Sequence, residues 1–219
     1  MNRIKQISNL IEKCQCVYDV GSDHALLAIN ILRDKKAKQV VNIEKNWLPH
    51  NAGKTNLAKN HLTTKTLNVL NDGLVDITKK VFIQPNYIVI AGMGANNIVN
   101  ILEKKDPKIN RNAIYLLEPN CDVDVLRRYL AKAKYDVVYE NVCLDRTKFY
   151  QIICAKQGTK IRKISTYEAY FGLSEKQIDK KIWMLYLKAC KQKIEKKKLY
   201  KFSHAYAVLY DWLKKRVKK

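Results

Sequence analysis

The chain has 219 residues, 47% of them apolar, enough to bury the core of one full α/β domain plus a smaller appendage but not two large domains. Forty-two Lys and Arg stand against 20 Asp and Glu; the resulting +22 favours polyanionic partners and is silent about fold. Because no apolar run of roughly 18 residues occurs, and MNRIKQISNLIEKCQC lacks an apolar core with a cleavage site, neither a membrane span nor a secretory signal is expected.

From the N-terminus onward, short apolar runs alternate with segments of helical length. Residues 17–20 (VYDV), 40–43 (VVNI), 66–69 (TLNV), 87–91 (YIVIA) and 113–117 (AIYLL) read as buried strands. Such alternation predicts a parallel sheet with helices on both faces. Residues 136–141 (DVVYEN) and 148–155 (KFYQIICA), separated by a short polar segment with Asp145 and Arg146, suit a closing antiparallel hairpin. The expectation is a Rossmann-like α/β domain over residues 1–158, its sheet mostly parallel with the last strand antiparallel. Six cysteines (14, 16, 121, 143, 154, 190) form no C-x-x-C, so reduced thiols of a cytoplasmic protein are expected, with no metal site.

Past Gly158 the strand signals vanish, and residues 159–219 read as a basic helical domain. Ser174, followed by Glu175, looks like the N-cap of a helix running to about Lys198. Ile178, Ile182, Leu185 and Ala189 fall on one helical face; Phe202, Ala205, Leu209, Trp212 and Val217 form a second stripe. Two antiparallel helices joined near Leu199 and Tyr200 would pair these stripes as a coiled-coil-like hairpin that protrudes from the sheet domain; the alternative is that both helices dock on it. Residues 156–219 hold 19 Lys and Arg against five Asp and Glu, whereas residues 1–155 hold 23 against 15. Lys191, Lys193, Lys196, Lys197, Lys198 and Lys201 are the candidate grip on a phosphate backbone; the alternative is a merely solvated helix face.

Candidate site residues cluster after the strands. On a doubly wound sheet a ligand sits at the carboxyl ends of the strands, near the switch in strand order. Asp19, Gly21 and Ser22 fall there after the first strand. Asp23 occupies the place where a dinucleotide motif would want its second glycine, which is hostile to a pyrophosphate but acceptable for a cationic sulfonium cofactor. Glu44, ending the second strand, is placed to accept bonds from ribose hydroxyls. Asp72 and Gly73 follow the third strand, where an acid could address an adenine amino group. Ala91, Gly92, Met93 and Gly94 end the fourth and offer a side-chain-poor floor for a flat ligand.

The motifs DVGSDH at 19–24, Asp72-Gly73-Leu74, AGMG at 91–94 and Pro119-Asn120 closely resemble the bacterial tRNA (adenine-22-N1)-methyltransferase family, the TrmK family, over about residues 5–156 and loosely beyond. The resemblance implies a class I S-adenosylmethionine fold with a helical C-terminal domain. It also implies methylation of N1 of adenine 22 in the tRNA D-arm, with S-adenosyl-L-methionine as cofactor and tRNA as partner. This chain departs from the usual pattern at Leu26 and Ala28, where Tyr and Pro are usual, at Ala95 for Gly, and at Glu118 for Gln.

Adenine N1 carries an in-plane lone pair, so alignment with the sulfonium methyl and exclusion of water should supply most of the rate. Asp23, His24 and Asn120 are the candidate catalytic residues: an acid near the exocyclic amine, a histidine that acts there or only packs, and an amide for the adenine edge. Tyr150 is a candidate stacking face, with one of Phe149 and Tyr150 in the core. A monomeric, cytoplasmic enzyme without membrane contact or obligatory protein partner is expected. The alternatives are a non-catalytic RNA-binding protein with a vestigial pocket, or a methyltransferase acting on another substrate.

Overall fold

The computed structural model describes residues 3–172, 179–201 and 203–217. The strands β1 (Cys14–Val20), β2 (Ala37–Glu44), β3 (Thr66–Leu70), β4 (Tyr87–Met93), β5 (Ile114–Pro119), β6 (Tyr135–Asp145) and β7 (Lys148–Gln157) form one sheet. Their order is β3-β2-β1-β4-β5-β7-β6, with β1 to β5 parallel and β7 antiparallel to both neighbours. This is the sheet the sequence predicts, and its order reverses between β1 and β4. A crevice for a ligand opens at such a reversal.

Two helical layers sandwich the sheet. On one side α1 (Arg3–Asn9), α2 (Leu26–Arg33) and α3 (Trp47–Lys59) bury Ile7, Leu27, Ile31 and Leu57 against Val17, Val40 and Val89. On the other, α4 (Ala95–Glu103) and α5 (Val123–Lys132) bury Ile98, Leu102, Leu126 and Leu130 against Tyr18, Val20, Ile43 and Ile90. Side chains alternate across a strand, so two-residue steps decide which layer each one meets. Asp19 therefore shares the face of Val17, Glu44 that of Val40, and Glu118 that of Leu116: three acids at three strand ends, all on the α1–α3 side.

The C-terminal region adds α6 (Thr166–Phe171), α7 (Lys180–Lys196) and α8 (His204–Arg216). Ser165 opens α6 with a full capping box: its hydroxyl accepts from Glu168 N, while the Glu168 carboxylate accepts from Ser165 N at 2.7 Å. Asp179 caps α7, accepting from Ile182 N at 2.9 Å; the sequence-derived cap at Ser174 and Glu175, with Ile178 and Phe202, lies outside the described residues. The predicted face of α7 needs correction. Leu185 is 43% exposed, and the buried face is Trp183, Tyr186, Leu187 and Ile194, one residue further round. Leu209 of α8 and Val217, just past its end, do face inward as expected, with Leu213 between them.

These helices do not stand clear of the sheet. Their core includes Val142 of β6 and packs against Phe149 of β7. Buried Arg127 of α5 locks the junction: its Nε donates to Glu140 Oε1 at 2.7 Å, and its terminal nitrogens to Ala169 O at 2.9 Å and Gln151 Oε1 at 2.8 Å. The expected protruding hairpin is thus corrected at its base to the docked alternative. The lever is the length of the β6–β7 hairpin, which carries Val142 and Phe149 out to meet the helices.

Candidate active site

The site is built from the residues that follow each parallel strand. Chain leaving β1 turns at once: Gly21 has φ +76°, and its N–H donates to Ile43 O at 2.8 Å, so the backbone bends over the end of β2. A Cβ at Gly21 would lie 2.9 Å from the Met93 methyl, so glycine is needed for both the turn and the close approach. Ser22 is buried beside it. His24 and Ala25 both take positive φ before α2 begins, which is costly for side-chain-bearing residues and leaves the Asp23 and His24 side chains on the exposed lip. There His24 Nε2 lies 3.3 Å from Asp23 Oδ1, and Asn56 of α3 donates to the His24 carbonyl at 3.1 Å. His24 is therefore not a packing residue of the sheet.

Across the crevice, the register places Val20 level with Ile43 on one side and Ile90 on the other, just before Glu44 and Ala91, and Ala91 pairs with Glu118. Asp19 lies one step deeper. Burial pushes its carboxyl up to about 7, helped by the Glu44 charge. Among the described residues no cation pairs with it. Glu44 is buried as well, and its Oε1 accepts from Asn46 N at 2.8 Å, which fixes its rotamer at the strand end.

The third strand contributes less than its sequence suggests. Asp72 is exposed and paired with Lys45 at 3.2 Å, and Gly73 lies against Ile101 of α4. Asn71 holds this loop beside β2, its N–H donating to Glu44 O at 2.9 Å.

At the end of β4 the register with β5 slips between Ala91 and Met93, and Gly92 takes φ +80°. A bulge of this kind re-aims the backbone at a strand end. The Gly92 N–H, lost to the ladder, donates to Glu118 Oε2 at 3.0 Å. Glu118 is fully buried, and desolvation raises its carboxyl to about 7 although Arg3 and the Gly92 amide favour its charged form. Gly94 then caps α4, and Ala95, the departure from the usual glycine, points its methyl into the core. Ala28 is likewise buried, while Leu26 is partly exposed beside the lip.

Asn120 leaves β5 with its N–H on Met93 O at 2.8 Å, so the loops after β4 and β5 move as one. Its side-chain oxygen accepts from Arg3 at 3.2 Å. The Arg3 guanidinium also pairs with Glu118 Oε2 at 3.2 Å and lies 5.0 Å from the centre of the Tyr150 ring, which Lys148 approaches equally closely. Arg3 was not foreseen from sequence; an arginine in the first amphipathic turn carries no local mark of a site. Phe149 turns to the helical core and Tyr150 to the site side, as their alternation requires.

A cleft of about 430 Å³ runs from Asn120 and Lys148 to Tyr170, Tyr206 and Lys193 of the helical region. Lys193 lines it, and Lys193, Lys196, Lys197, Lys198 and Lys201 are all exposed. Lys191 is not part of that surface: its ammonium donates to Val217 O at 3.1 Å and closes the end of α8.

The residues of the crevice suit a ligand of S-adenosylmethionine's chemistry: buried Asp19 has no cation beside it among the described residues, buried Glu44 ends the adjacent strand, and glycines turn the chain at φ +76° and +80°. Among the described residues no helix is long and apolar enough to cross a membrane, and no cluster of His, Cys, Asp and Glu is set to hold a metal.

Comparison with known proteins bears on this geometry. The family model described as tRNA (adenine(22)-N(1))-methyltransferase matches residues 17–212. A Bacillus subtilis tRNA (adenine(22)-N(1))-methyltransferase is 28% identical over 158 residues, covering 72% of this chain and 65% of the relative. The structure of M. capricolum TrmK with S-adenosyl-homocysteine superposes at a TM-score of 0.77 and 24% identity, covering 98% of this chain and 93% of the other. A Streptococcus pneumoniae protein in complex with S-adenosyl-L-methionine gives 0.81 at 24% identity, covering both chains completely.

Proposed function

The chain belongs to the tRNA (adenine(22)-N(1))-methyltransferase family, TrmK, and from that premise we propose how its own residues carry methyl transfer to N1 of adenine 22 in tRNA. The bound S-adenosylmethionine supplies an electrophilic methyl group on a sulfonium. Asp19 holds the cofactor's ammonium end once its carboxyl is ionised, and Glu44 accepts from the ribose hydroxyls. Gly21, Ser22 and the Ala91–Gly94 turn form the walls. Asp72 reaches the adenine amino group only by exchanging Lys45 for it, which makes it a weaker contributor than Asp19 or Glu44.

Target adenine enters from the side of Asn120 and Tyr150. Its N1 is hidden in Watson–Crick pairing, so the base must be unpaired or extruded, at a cost of a few kcal/mol. Tyr150 offers a stacking face and Asn120 an amide for the base edge. Asp23, on the lip, faces the developing positive charge on the methylated ring, and His24 orients Asp23. Lys193, Lys196, Lys197, Lys198 and Lys201 hold the RNA backbone across the cleft. The enzyme acts in the cytoplasm as a monomer, with tRNA as its partner.

One observation carries this reading: Asp19 and Glu44 lie on one sheet face at the strand-order switch, beside two glycine turns. The test is to incubate labelled cofactor with total tRNA and map the modified nucleoside by mass spectrometry. 1-Methyladenosine at position 22 is the expected product. Cofactor binding without any methylated nucleoside would instead favour the non-catalytic RNA-binding alternative.

A further inference from the structure

Arg3 connects groups that lie far apart in the chain. Its backbone N–H donates to Asp145 Oδ2 at 3.1 Å, anchoring the start of α1 to the tip of the β6–β7 hairpin. From there its guanidinium meets Glu118, Asn120 and Tyr150, and it crosses Gly92 so closely that a Cβ there would lie 3.4 Å from it. A planar fork of donors can serve a carboxylate and an amide at once while stacking on a ring, which an ammonium cannot.

This arrangement is a poor device for stability. Glu118 is fully buried, and among the described residues its Oε1 has no hydrogen-bond partner. Taking the Glu118 carboxylate out of water costs more than a partly exposed cation commonly returns, and an unmatched oxygen adds to that cost. What the pair does achieve is direction. Glu118 fixes the guanidinium from below, and the guanidinium then engages the Asn120 oxygen. With that oxygen committed, the Asn120 amide keeps its two N–H donors, which the ring-nitrogen acceptors of a purine can receive. Tyr150 is held by the same cation.

We propose that Arg3 is a positioning residue for the target base: aimed by the buried Glu118, it orients Asn120 and Tyr150 so that adenine is held in line with the methyl donor. The proposal rests on the adenine-methylation reading, and it assigns the N-terminal helix a part in base placement. Misplacement of a reacting base by about 1 Å can cost on the order of a hundredfold in rate.

The experiment compares wild type, Arg3→Gln, Arg3→Lys and the double variant Arg3→Gln/Glu118→Gln. Arg3→Gln alone strands a buried carboxylate and lowers Tm. The double variant removes that charge and recovers Tm, separating stability from positioning. In the double variant, cofactor affinity and the KM for tRNA stay within about threefold, while kcat falls between about tenfold and a hundredfold. A tRNA carrying 2-aminopurine at position 22 reports base placement without catalysis: its fluorescence change on binding wild type is lost in the double variant. Arg3→Lys keeps the charge but not the fork, and its kcat stays low. A double variant or Arg3→Lys with wild-type kcat and an unchanged 2-aminopurine signal overturns the proposal. Absence of transfer by the wild type overturns the methyltransferase reading itself.

Discussion

At the scale of single residues, the strongest lever is the protonation of Asp19. Its folded carboxyl titrates near 7 because burial and Glu44 both disfavour the charge, whereas an unfolded aspartate titrates near 3.8. Between those values the folded free protein keeps a proton that the unfolded chain has lost. Stability contributed by this group therefore declines as pH rises through that window and stays low above it. Glu118, also raised to about 7, adds in the same direction. Cofactor binding has the opposite sign, because only the ionised Asp19 can accept from an ammonium group. Affinity for S-adenosylmethionine should rise between about pH 6 and 8, with a proton released on binding. Titration calorimetry in buffers of different ionisation enthalpy measures this directly; Asp19→Asn should bind weakly and show no such pH dependence. Equal affinities for both proteins across the range would refute the assignment. The places of Asp19, Gly21 and Glu44 at the ends of β1 and β2 were legible in sequence, because each closes an apolar run. Arg3 and the true surroundings of Asp72 were not, since one depends on a contact across 117 positions and the other on a lysine from a neighbouring loop.

At the scale of elements, all seven strands were legible, because continuous β-branched and aromatic runs leave few alternatives. The helices of the C-terminal region were harder. A wide apolar stripe such as Trp183, Tyr186, Leu187 and Ile194 leaves the helix phase open by one residue until its partner surface is known. The Ser165-x-x-Glu168 signal for α6 was present and readable, yet it precedes only six helical residues and was passed over. Least visible was Arg127, an ordinary charged position of α5 by periodicity. It is nearly inaccessible and joins α5, β6, β7 and α6 through three side-chain bonds. Arg127→Ala removes the cation beside buried Glu140, and breaking such a pair costs about 3–5 kcal/mol. For a chain of this size the corresponding fall in Tm is roughly 10 °C. Thermal unfolding followed by circular dichroism checks this; a Tm within a degree or two of wild type would show that the junction is held by the aromatic core alone. Replacing Glu140 with Gln in the same chain should return part of the loss.

At the scale of the whole molecule, charge and cavity point to one path for RNA. The excess of positive charge is concentrated in the C-terminal region, and the aromatic-lined cleft leads from its lysines to Asn120. Docking of that region on the sheet through Val142 and Phe149 fixes the separation between the backbone grip and the methyl-transfer site, which a freely protruding hairpin would not do. A substrate spanning both must be large, folded and polyanionic. Each phosphate neutralised by a lysine releases counterions, contributing about 0.7–0.9 to the slope of log K against log salt. Changing Lys193, Lys196, Lys197, Lys198 and Lys201 together to Gln should flatten the slope for tRNA by about 3.5–4.5 if all five reach phosphates. Cofactor affinity should stay unaltered, because the crevice between β1 and β4 lies beyond the cleft. Lys191→Gln serves as the internal contrast. Its ammonium already closes α8, so the change should lower Tm while leaving the salt slope within error of wild type. Filter-binding titrations at four or more salt concentrations decide between the two surfaces. A quintuple variant that keeps the wild-type slope would move the RNA path off the helical region and onto the lysines of the sheet domain.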